Sequence, residues 1–138
     1  METLTLKVNT GAVLVNVENE NGRKIGTFEF VPTDTDIINR YGDVVDFFNN
    51  VKFDSDKAGE EELRQFSAQI RERFDYLLNY PVSEGIFSKC GPLTPTQDGD
   101  FFFETVIDGI RKLIEQVTNE RMEKKMKKIR NATAKYHK

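Results

Sequence analysis

Residues 13–51 read VLVNVENENGRKIGTFEFVPTDTDIINRYGDVVDFFNNV, and the apolar period changes partway along. Before Pro32, Val13, Val15 and Val17 recur at every second position, and Phe28 and Phe30 share a face in the same way. That period of two is the signature of half-buried strands. Asn21-Gly22 between them is the strongest short hairpin signal in the chain, because a type I′ turn needs positive φ at both central residues. After Pro32 the spacing lengthens. Ile37, Tyr41, Val44, Phe48 and Val51 fall on one helical stripe, widened by Ile38, Val45 and Phe47, so a helix is predicted over about 34–51. Thr33 with Asp36 resembles a capping box at its start, with Asp in place of Glu.

Upstream, Leu4, Leu6 and Val8 alternate with Thr3, Thr5 and Lys7 before a turn near Asn9-Thr10-Gly11. This predicts a further strand, and hence a three-stranded antiparallel sheet over about 2–31 whose apolar face needs a helical layer. Downstream, 53–59 is an acidic linker, and a helix over about 60–79 carries Leu63, Phe66, Ile70, Phe74, Leu77 and Leu78 until Pro81. A short helix at 83–89 presents Ile86 and Phe87, and a Pro/Gly loop follows. The last predicted helix, about 100–120, is capped by Asp98 or Asp100 and carries Phe103, Val106, Ile110, Leu113 and Val117. These elements make one α+β domain over 1–120, followed by a basic helical extension, 121–138, that projects or frays.

The composition narrows the chemistry. The 138 residues include eleven Phe and no Trp, so phenylalanine is expected to supply much of the core volume. The lone Cys90 excludes an internal disulfide and fits a reducing cytoplasm. The single His137 leaves neither a His-based zinc site nor a His-dependent triad. No secretory signal or long apolar span is read. Asp54, Asp56 and Gly59 match part of a calcium loop, but Ala58 and Gln65 stand where two essential oxygen ligands belong. The acids Asp43/Asp46 and Glu60-Glu61-Glu62 read as a helix face and a first turn, and no Gly-rich phosphate loop is present. No catalytic, metal or cofactor residue is expected, and the chain reads as non-enzymatic.

Charge and apolar excess point instead to partners. From Arg121 onward, eight basic residues stand against Glu123 alone, while the rest holds twelve basic and twenty-two acidic residues. Such a segment suits an acidic partner or, weakly, nucleic acid; with only Tyr136 among its lysines, nucleic acid is not the expected ligand. Phe101-Phe102-Phe103 spans roughly 200° of a helix at 100° per residue, so one ring points away from the main stripe. That ring makes either a second packing contact or an anchor for a partner or another copy of the chain. The candidate partner surface is Phe101 or Phe102 with Met122, Met126 and Ile129, edged by Lys124, Lys125, Lys127 and Lys128.

The order of parts resembles a known family. A hairpin runs into Phe28-Glu29-Phe30-Val31-Pro32-Thr33-Asp34, then a helix with Arg40-Tyr41, an acidic linker, and a helix with Phe66 and Phe74. Val82-Ser83-Glu84-Gly85-Ile86-Phe87, a phenylalanine-led helix and a Lys/Arg-rich end complete it. Over about 20–138 this is similar to the tail assembly chaperones of long-tailed phages and prophages of Gram-positive bacteria. Ser88-Lys89-Cys90-Gly91-Pro92 stands where that family usually has a Gly-rich segment. The resemblance implies a non-catalytic protein of the bacterial host's cytoplasm that binds the tape measure protein and helps recruit the major tail protein. It also implies a longer form made by translational frameshifting. The other functions open at this point are a head–tail connector or minor tail component, and a small nucleic-acid-binding regulator.

Overall fold

β1 (Val13–Glu18) and β2 (Lys24–Phe30) pair antiparallel in a two-stranded sheet, with Val13 opposite Phe30 and Val15 opposite Phe28. The computed structural model describes residues 1–136, with side chains through 131. α1 (Ile37–Asn50), α2 (Glu60–Leu78), α3 (Ser83–Phe87) and α4 (Phe102–Tyr136) follow. The α+β class stands, and the helical segments lie where the periodicity puts them. The sheet does not have three strands. Residues 1–12 adopt no regular structure, and Leu4, Leu6 and Val8 are exposed at 85%, 87% and 66%. No other part of the described chain pairs with the backbone of residues 1–8.

The hairpin turn is longer than a two-residue type I′ turn. Asn19 N–H donates to the Arg23 carbonyl (2.8 Å) and Gly22 N–H to the Asn19 carbonyl (3.0 Å). Only Gly22 takes a positive φ, 78°, so this is a type I turn closed by a left-handed glycine, with a bulge after Val17. The Asn19 side chain holds it, accepting from the Asn21 and Arg23 N–H groups.

β2 is flanked by α3 at backbone distance. A Cβ on Gly26 would lie 1.7 Å from the Gly85 carbonyl oxygen, and one on Gly85 would lie 2.0 Å from the Thr27 carbonyl oxygen. Two glycines facing each other are what let this helix lie on the strand. Asp75 of α2 fixes the start of α3, accepting from the Val82 and Ser83 N–H groups (2.8 and 2.7 Å) and the Ser83 hydroxyl (3.0 Å).

Phe30, Val44, Ile70, Phe74, Leu77 and Ile86 are fully enclosed, and the described residues contain no buried polar or charged side chain. All eleven phenylalanines take part in ring–ring contacts. Phe48, Phe66 and Phe103 join α1, α2 and α4 at centroid distances of 5.0–6.5 Å. Aromatic pairs add about 0.5–1.5 kcal/mol each beyond area burial. The helix starts are satisfied differently from the expected caps. At α1, Asp34 rather than Thr33 accepts the Asp36 N–H (3.0 Å). At α4, the Thr94 and Pro92 carbonyls accept from Phe102 and Phe103, and Glu104 accepts from Phe101, leaving Asp98 and Asp100 no capping role.

Candidate partner-binding surface on helix α4

α4 is one 35-residue helix with two environments. Phe103 and Ile110 are buried, and Val106, Ile107, Leu113, Ile114 and Val117 are half-buried, following the spacing that carries a stripe along a helix. Arg121 ties α4 to the body. Its Nη1 donates to Thr33 Oγ1 (3.2 Å), and it lies so close to Gly11 that a Cβ there would sit 2.6 Å from the same nitrogen. Residues 122–131 are all exposed. The basic segment thus continues α4 without a break; its last two residues, His137 and Lys138, lie outside the described residues.

Met122, Met126 and Ile129, at 52%, 49% and 48% exposure, recur at i, i+4 and i+7 and so share one face within about 60° of helical rotation. The same rotation separates the four lysines. Lys125, together with Arg130, flanks the apolar face; Lys128 lies further round; Lys124 and Lys127 fall on the opposite side. Lys125 is therefore the member of the four best placed to edge the Met face.

At its inner end this face runs into a groove of about 740 Å³ between α4 and the segment leading into α1. Pro32, Ile38, Tyr41, Ile114 and Met122 give it an apolar floor, while Asp34, Arg111, Arg121 and Lys125 stand at its edges. Two of these edges are held by ion pairs. Arg40 reaches Asp34 Oδ2 (2.8 Å) and donates through Nε to the Leu77 carbonyl (2.9 Å), tying the loop before α1 to the end of α2. The Asp36 N–H first, and the Arg40 guanidinium second, hold the Asp34 carboxyl below the usual carboxylate range. Arg111 bridges Asp108 (2.9 Å) and Glu115 (3.0 Å).

Phe101 and Phe102 lie elsewhere. Phe101 stacks on Phe103 (6.1 Å, 17°) and Phe102 meets the Phe87 ring edge-on (5.9 Å); both are half-buried against the core. Some twenty residues of helix, about 30 Å at 1.5 Å per residue, separate them from Met122. The structure does not bring the two groups into one surface. The groove has no counterpart in the sequence pattern. Ile38 widens the α1 stripe by its spacing, yet it is exposed on the groove wall while Ile37 is buried. Thr33, expected as a helix cap, is instead the acceptor for Arg121, 88 residues away, and no local pattern encodes such a pairing.

Among the described residues, no group of three or more His, Cys, Asp or Glu side chains could hold a metal ion, and no helix is long and apolar enough to cross a membrane. Compared with protein-family models, curated proteins and solved structures, the chain matches none.

Proposed function

We propose that this protein is a non-catalytic tail assembly chaperone of a phage or prophage, holding the tape measure protein during tail morphogenesis along the Met face of α4 and its groove. The observation that carries the reading is the continuation of α4 past Arg121 as a helix with Met122 and Met126 exposed on one face. Exposed Met side chains adapt to varied apolar partners, which suits a protein that holds a long helical client. The groove extends that face onto the body, so a client helix gains a rigid apolar seat as well as an adaptable one. The order of sequence signatures supplies the phage context, and recruitment of the major tail protein belongs to the same reading. An apolar strip between cations favours a protein partner over nucleic acid, which would engage the cations and leave the methionines in water.

The test is co-expression with the tape measure protein and recovery through a tag on this chain. Met122→Asp with Met126→Asp is expected to reduce recovery at least tenfold while the circular dichroism spectrum and melting temperature stay near wild type. Undiminished recovery contradicts the proposed surface. Retention on a nucleic-acid column at physiological salt, without client binding, would support the regulator reading instead.

A further inference from the structure

Residues 3–8 and the outer edge of β1 are both unpartnered, and they match each other. β1 pairs with β2 alone, and β2 is flanked by α3 through Gly26 and Gly85, so the other side of β1 carries a free row of backbone donors and acceptors. Open edges are usually blunted by proline, lysine or an inward-pointing charge, and Val13–Glu18 contains none of these ahead of its terminal Glu18. A two-stranded sheet is also below the size at which sheets are usually stable by themselves. The segment at the start of the chain has strand alternation and no strand partner, and its three aliphatic side chains face solvent. Gly11, at φ 78° and packed on Arg121, turns the chain between the segment and β1.

We propose that residues 3–8 of one copy add as a third, antiparallel strand to the free β1 edge of a second copy. Pairing Val8 with Val13, Leu6 with Val15 and Leu4 with Val17 places every aliphatic side chain of the segment on the face of β1 that packs toward the core. Lys7, Thr5 and Thr3 then lie on the solvent face beside Leu14, Asn16 and Glu18. A slip of one residue turns the aliphatic set into water, so the register is specified. The occupant is a second copy because each chain carries one donor segment and one acceptor edge, both six residues long, and within the single chain the segment does not pair along its own β1. A foreign strand would cover the edge and leave the aliphatic segment in solvent. The sequence's three-stranded pattern is thereby satisfied between chains. This inference does not rest on the chaperone reading.

Light scattering on the full chain across a wide concentration range should give twice the monomer mass or more. Thr5→Pro, which removes the N–H that faces Asn16 in this register at a residue exposed in the single chain, should give a monomer with an unchanged helical spectrum. In a Cys90→Ser background, a Lys7→Cys copy mixed with a Leu14→Cys copy should form an intermolecular disulfide under mild oxidation. A monomeric wild type, a Thr5→Pro variant that keeps the wild-type mass, or absence of the mixed disulfide would each overturn the proposal. A monomer whose residues 3–8 are protected from hydrogen exchange would show the segment folding back on its own β1, and would overturn it too.

Discussion

Gly26 and Gly85 show how much of this fold hangs on single atoms. A methyl group at either position meets a carbonyl oxygen of the facing backbone, so Gly26→Ala or Gly85→Ala must push α3 off β2. We expect each to cost at least about 2 kcal/mol, read as a lower urea midpoint, because packed backbone cannot give way as a side-chain tip can. Gly42 and Gly109 are the contrast. Both are exposed helical positions where an added methyl group would meet nothing within 4 Å, so Gly42→Ala and Gly109→Ala should each stabilise by about 0.5–1 kcal/mol. Asp34 adds a pH dependence. Its carboxyl titrates below the usual range in the folded chain, so its contribution is complete above the ordinary Asp value of about 4 and is lost as pH falls through its lowered folded value. Asp34→Asn should flatten that part of the acid limb in a plot of melting temperature against pH; an unaltered acid limb would assign the effect elsewhere.

At the scale of elements, the helices were legible because their stripes are long: Phe66, Ile70, Phe74 and Leu77 mark α2 without ambiguity. The N-terminal strand was legible as a pattern and absent as a paired element, because period two reports which face a strand buries and not which chain it pairs with. The close contact of Gly26 with Gly85 and the bond from Arg121 to Thr33 left no local trace, since each joins distant segments through one atom pair. Beyond Arg121, α4 is exposed through residue 131. A chain ending at Met122 keeps the Arg121 anchor, so it should lose helical signal while changing body stability by less than about 1 kcal/mol. A large drop in thermal stability on that truncation would show that the extension packs on the body.

For the whole molecule, a phenylalanine-filled body carries two outward-facing features at separate places: an unpaired aliphatic segment before β1 and a Met face beyond Arg121. The candidate site was half legible. Met122, Met126 and Ile129 were visible as apolar residues among lysines, whereas the groove needed α1 and α4 placed side by side. The two features make separable predictions, since Thr5→Pro should abolish self-association without touching the Met face. The central claim is that the extension of α4 grips a long helical client. Its most direct test is affinity purification of the tagged full chain, and of the chain ending at Met122, from the native host during prophage induction or infection, read by mass spectrometry. The account predicts that a very long coiled-coil protein is recovered with the full chain and lost with the truncated one. Equal recovery with both, or recovery only of mature particle proteins with this chain at fixed copy number, would contradict it.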